Sequence, residues 1–161
     1  MQTQRLLLRN TPEDVLVSPV KSTDDCRKLL SFLQDQINPA YTIWLTQIEQ
    51  IHQFVFNIPD LAWELMEYAN EPLSIIYTHP KAVFGDKQPP EVCIRLLRQP
   101  QLLKILSGKN AWLSVRIADL ENARQAMAWT GKEINCAERT SQYTKVKIMR
   151  VFDNGQFSFL S

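Results

Sequence analysis

A chain of 161 residues, 45% hydrophobic and 22% charged, fits one globular domain with a sizeable core. Three cysteines, Cys26, Cys93 and Cys136, form no C-x-x-C pair, which argues against a disulfide framework or zinc knuckle and for a reducing compartment. No stretch has the long apolar run of a signal peptide or membrane span, so a cytoplasmic protein with no membrane partner is expected. The net charge of +1 hides a split. Residues 1–79 hold five Lys/Arg and ten Asp/Glu, a balance of −5; residues 80–161 hold thirteen and seven, a balance of +6. Such asymmetry suits a basic face for phosphate-bearing partners, unless the fold intermixes the two halves.

In chain order, Arg5–Arg9 predicts a short strand. Val15–Val17 predicts a buried one, ending at Ser18-Pro19. Ser22 or Thr23 caps a helix with Asp24 and Asp25 in its first turn and Leu29, Leu30, Leu33 and Ile37 on its apolar face. Asn38-Pro39 stops it. Tyr41–Leu45 reads as a strand, and Thr46-Gln47-Ile48-Glu49 as a capping box for a helix to about Phe56. Pro59 opens a second amphipathic helix through Leu61, Leu65 and Tyr68. Strands follow at Leu73–Thr78 and Val92–Leu96, then a helix from Pro100 to Leu106 closed by Gly108. Trp112–Arg116 is a strand and Leu120–Trp129 a helix. Strands Thr144–Phe152 and Gln156–Leu160 flank Asp153-Asn154-Gly155, which signals a type I′ hairpin. Strands and helices alternate, giving an α/β class with a mixed sheet and one domain over residues 1–161.

Most catalytic templates are absent. There is no G-x-x-x-x-G-K-[ST], G-x-G-x-x-G or H-E-x-x-H, and Ser114 lies in no nucleophile elbow. His52 reads as a surface residue, and His79, before Pro80, as a turn residue. Trp44, Trp63, Trp112 and Trp129 read first as packing residues. Arg95 interrupts a buried-looking strand, so it must face a cleft or find a partner. Arg116 ends the next predicted strand. If the two strands were neighbours, both guanidiniums could hold a phosphate or carboxylate; the competing reading pairs Arg116 with Asp119.

From about Tyr41 to Ser161 the order of segments resembles the YrdC/Sua5/YciO family, known for threonylcarbamoyl-adenylate synthases of tRNA modification. Thr42–Thr46 resembles the strand after the family's K-x-R motif. Pro72-Leu73-Ser74-Ile75-Ile76 resembles G-P-L-T-L-[IV]. Val92-Cys93-Ile94-Arg95-Leu96 up to Pro100 resembles V-G-[IV]-R-V-P-x-x-P. Ala111–Leu120 resembles the L-V-S-T-S-A-N-L-S region, and Thr144–Val151 the closing S-T-[IV]-V-D strand. The resemblance implies a twisted open sheet with a concave, positively lined cleft for ATP and threonine, and binding of double-stranded RNA or tRNA.

The departures are specific. The P-T-[DE]-T-x-Y-G-L segment is replaced by Ser18-Pro19-Val20-Lys21-Ser22, so residues 1–40 read as a divergent, shortened region. K-x-R aligns with Gln34-Asp35-Gln36, which loses both cations and gains an acid. Glu71 stands where glycine is expected, and Arg95 survives. Forming an acyl-adenylate needs preorganised cations for the developing charge. The expectation is therefore a degenerate binding protein for RNA or a nucleotide with little or no catalysis, with Arg95, Ser114, Arg116, Thr144 and Lys145 as ligand-binding residues and no metal. An active synthase using ATP with Mg, its lost cations replaced by Lys21, Arg27 or Lys28, is the first alternative. A non-catalytic partner subunit of a tRNA-modification complex is the second.

Overall fold

A computed structural model describes residues 5–9, 11, 13–33, 41–69, 72–84, 89–106, 110–136 and 146–160. In chain order the elements are β1 (Leu6–Arg9), β2 (Val15–Pro19), α1 (Thr23–Ser31), β3 (Thr42–Leu45), a 3-10 helix (Ile48–Gln53) and α2 (Asp60–Tyr68). β4 (Leu73–Tyr77), β5 (Val92–Leu96), α3 (Pro100–Ile105) and β6 (Trp112–Arg116) follow. A 3-10 turn (Ile117–Asp119), α4 (Ala123–Trp129), β7 (Lys132–Asn135), β8 (Lys147–Val151) and β9 (Phe157–Phe159) complete the order.

Among the described residues the strands form one nine-stranded mixed sheet in the order β7-β1-β2-β6-β3-β5-β4-β8-β9. Pairs β1·β7, β3·β5 and β4·β8 are parallel, and the other pairs are antiparallel. Side chains alternate across a strand, so each central strand supplies two cores. On one face Leu16, Ile43, Leu45, Ile75, Ile94, Leu113, Val115 and Met149 pack with Cys26 and Leu29 of α1, Ala62 and Met66 of α2 and Ala126 of α4. On the other face a smaller core joins Leu8, Val15, Val17, Trp44 and Trp112 to Leu97, Leu102 and Leu106 around α3. Three helices thus cover the first face and α3 covers part of the second.

Several local readings shift. The capping box belongs to Gln47 and Gln50 rather than Thr46 and Glu49, and the element it opens is a 3-10 helix. Gln50 is buried, and its side-chain oxygen accepts from the Thr46 and Gln47 N–H groups, which fixes the box one residue later. Ser22 is the N-cap of α1 without a side-chain cap bond. α1 ends at Ser31, and the region around Ile37 and Asn38-Pro39 lies outside the described residues, as does Gly108. Pro59 is the N-cap of α2 rather than its first residue. Between Leu120 and Trp129 only Ala123–Trp129 is helical, capped by Asn122, whose side chain accepts from the Gln125 N–H. The final hairpin turns through three residues: the Gly155 N–H donates to Phe152 O, Phe152 N–H donates to Gln156 O, and Gly155 sits at φ 84°. The strand β7 has no counterpart in the sequence reading.

The charge split does not survive folding. The sheet order interleaves strands from the acidic and basic halves. Ion pairs then cross between the halves: Arg9 with Glu133 at 2.7 Å, and Arg116 with Glu13 at 3.6 Å. The two halves are therefore not two opposed walls of unlike charge among the described residues.

Candidate functional site

The second sheet face carries buried rows of polar and aromatic residues, of which Trp44 and Trp112 pack into the core around α3. Neighbours in register point the same way, so the pairings define the rows. Trp112 of β6 lies opposite Trp44 of β3, and Trp44 opposite Arg95 of β5, which pairs in turn with Ser74 of β4. One row along, Ser114 faces Thr42, Thr42 faces Cys93, and Cys93 faces Ile76. Arg116 closes β6 on the same face, beyond Ser114.

Arg95, Ser114 and Arg116 therefore share one face, as the sequence reading requires. The neighbour relation it invoked does not hold, because β3 lies between β5 and β6. Four residues and two strand spacings separate Arg95 from Arg116, roughly 16 Å between Cα atoms. Arg95 is buried and Arg116 is held by Asp119, so the two do not form one clamp. Thr144 and Lys145 lie outside the described residues.

The environment of each group differs. Arg95 is 3% exposed, and its guanidinium carbon lies 5.3 Å from the centroid of the Trp44 ring. Cation–π contact of this kind offsets part of the cost of burying the charge, by about 0.5–2 kcal/mol. Arg116 is bound from below by Asp119, with Nε donating at 2.7 Å and Nη2 at 3.0 Å. Hydrogen bonding to Asp119 raises its pKa further, against the opposing effect of burial. Ser114 Oγ donates to the Thr42 carbonyl at 3.0 Å. Arg150 of β8, on the same face at the row of Cys93, is held by Glu91 through a forked pair at 2.5 and 3.0 Å. Arg116 and Arg150 thus come with carboxylates already attached.

Two features of these rows escaped the sequence reading. Burial pushes the Cys93 thiol up to about 11, although hydrogen bonds with Thr42 and Ser74 and the charges of Arg95 and Arg116 pull the other way. A neutral thiol at this position is no nucleophile at neutral pH. The second feature is Trp112. It is 3% exposed, and its indole N–H has no acceptor among the described residues. An unpaired buried donor costs about 1–3 kcal/mol, so this group calls for an acceptor. Its only sequence signal was a tryptophan in a strand next to polar alternates.

Two of the three cations proposed as replacements, Arg27 and Lys28, sit elsewhere. α1 packs through Cys26 and Leu29 onto the first face. Arg27 donates to the Phe84 carbonyl at 3.1 Å, and Lys28 Nζ lies 5.1 Å from the Phe32 ring centroid. Neither belongs to these rows. Gln34-Asp35-Gln36 and Glu71 lie outside the described residues. Among the described residues no group of three or more His, Cys, Asp or Glu is placed to hold a metal ion, and no helix is long and apolar enough to cross a membrane.

No protein-family model matches the chain, and no curated protein does. Solved structures do. Sua5 of P. abyssi complexed with L-threonine superposes with a TM-score of 0.66 at 10% identity, covering 92% of this chain and 47% of that one. YciO of E. coli gives 0.66 at 13% identity, covering 98% and 82%. Full-length HypF in a phosphate- and nucleotide-bound form gives 0.60 at 9% identity, covering 97% and 26%. The chain spans about half the length of the Sua5 structures it matches. At these identities the likeness speaks for architecture, and it agrees with the ordered blocks read from the sequence: the chain has the YrdC/Sua5/YciO fold.

Proposed function

We propose that this protein is a non-catalytic binder of phosphate-bearing ligands, a nucleotide or the backbone of double-stranded RNA or tRNA, working in or beside tRNA threonylcarbamoyladenosine modification. The ligand lies on the second sheet face against Arg116, with the buried Trp112, Ser114 and Arg95 beneath it and Arg95 supplying positive potential. The observation that carries this reading is the indole N–H of Trp112, unpaired among the described residues, in the same row as Arg95. It offers a desolvated donor beside a buried cation, a combination that favours an anionic oxygen. The fold adds context, since full-length HypF, 26% of which matches this chain, has been solved in a phosphate- and nucleotide-bound form.

Weak catalysis follows from the same face. Adenylate formation needs cations free to follow charge onto the transferring phosphate. Arg116 is committed to Asp119, Arg150 to Glu91, and Arg27 and Lys28 lie on the helical layer.

Two assays on the purified chain test the proposal. Equilibrium titration with ATP and with a short RNA duplex should show binding that weakens as salt rises, because phosphate contacts release counterions. Pyrophosphate release from ATP, threonine and bicarbonate should stay at background. Absence of binding to either ligand at low salt contradicts the binding reading. Turnover comparable to an intact synthase establishes the enzyme instead. Stable co-purification with a protein, with no affinity for either ligand, favours the partner-subunit reading.

A further inference from the structure

β9 ends the sheet, and its outer edge is built from bare apolar residues. Phe157 is 48% exposed, Phe159 59%, Leu160 45% and Phe152 39%. The rings of Phe157 and Phe159 meet edge to face at 5.9 Å. Edge strands usually carry a lysine, a proline or a bulge that deters pairing. Phe157-Ser158-Phe159-Leu160 carries none. The hairpin is also held in place: Asp153 accepts from Thr78 Oγ1 at 3.4 Å and lies 2.5 Å from His79 Nε2.

The hydrogen-bond phase of this edge is self-complementary. β8 pairs Arg150 with Ser158, and the flanking bonds run from the Phe152 N–H to Gln156 O and from the Leu160 N–H to Ile148 O. Gln156, Ser158 and Leu160 therefore turn their backbone groups inward, while Phe157 and Phe159 turn theirs outward. A two-fold axis through Ser158 sets Phe157 opposite Phe159 of a second copy, and Phe159 opposite its Phe157. Four backbone hydrogen bonds and four phenyl rings come together in one antiparallel pairing.

We infer that β9 is a homodimerisation edge, where two copies join antiparallel about Ser158 into one continuous sheet. The occupant is a second copy because the pattern matches itself under two-fold symmetry, the commonest operator of soluble oligomers. Half-exposed aromatics of this size offer roughly 350–400 Å² per copy. That falls below the ~1,200 Å² total of a standard stable interface, so the dimer is weak and depends on concentration. It is independent of the ligand-binding proposal.

Sedimentation velocity from a few micromolar to several hundred micromolar reads the state of the full chain. A monomer at low concentration and a dimer at high concentration are expected, with the dimer lost in the double variant Phe157→Lys, Phe159→Lys. Both sites are exposed, and unchanged circular dichroism verifies that the variant folds. A cysteine pair reads the register. Ser158→Cys places two Cα atoms roughly 4.5 Å apart across the axis, within the range a disulfide spans. Gln156→Cys leaves its mates roughly 14 Å apart. The native cysteines are buried, so each variant adds the reactive thiol. Under equal mild oxidation Ser158→Cys should cross-link at least tenfold faster. A chain monomeric at every concentration, a dimer that survives the double lysine variant, or equal cross-linking of the two cysteine variants overturns the inference.

Discussion

Replacing Cys93 with serine should remove an alkaline weakness from the fold. The thiol is 1% exposed among Thr42, Ser74 and Arg95, and burial raises its pKa from 9.0 to about 11. Below pH 9 the thiol is neutral in both folded and unfolded chains, so it contributes no pH dependence. Above pH 9 the unfolded chain releases the proton first, and stability falls as pH rises until the folded thiol also ionises near 11. A shift of two units corresponds to about 2–3 kcal/mol lost across that window. Serine is nearly isosteric, keeps hydrogen bonds with Thr42 and Ser74 available, and does not ionise there. Cys26, also raised to about 11 by burial, and Tyr77, raised by the same cause, remain in both proteins and cancel in the difference. Urea unfolding at pH 7.5, 9, 10 and 11 measures it. The wild type should lose about 2–3 kcal/mol relative to Cys93→Ser between pH 9 and 11. A difference that stays constant with pH refutes the reasoning, because it means that solvent reaches the thiol.

Asp119→Asn releases Arg116 from its forked partner. It should lower stability by about 1 kcal/mol, a half-exposed guanidinium being well screened, and tighten binding of a phosphate ligand by several fold; calorimetric titration that finds unchanged or weaker affinity removes Arg116 from the site. Gly155→Ala forces a side chain into the left-handed region at φ 84° with nothing within 4 Å of its Cβ, so the whole cost is backbone strain. Thermal denaturation should show a loss of about 1–2 kcal/mol, and a neutral result contradicts the turn geometry.

The sequence was most readable where one residue type forces one geometry. Val92–Leu96 and Trp112–Arg116 match their strands residue for residue, because short runs of apolar and β-branched residues bounded by turn residues leave few options. β7 was missed because Lys-Glu-Ile-Asn has the composition of a loop. It becomes a strand only by parallel pairing with β1, where Arg9 binds Glu133. The capping box slipped by one residue because Gln50 is buried and Glu49 is not. At the candidate site, Arg95 stood out as a charge in a buried strand. Its roughly 10 Å separation from Trp112, two strand spacings away, depends on β3 lying between β5 and β6. No linear pattern encodes that order of strands. The charge split misled for the same reason: adjacency in the chain became alternation in the sheet.

The central claim is that a phosphate-bearing ligand rests on the second sheet face, over Trp112 and Arg95. Nuclear magnetic resonance of the labelled chain, titrated with ATP and then with a short RNA duplex, reads this most directly. The indole N–H of Trp112 and the backbone amides of Thr42, Cys93 and Ser114 should shift with at least one ligand, while those of α1 and α2 stay in place. Unmoved signals on that face, or shifts confined to the helical face, contradict the claim.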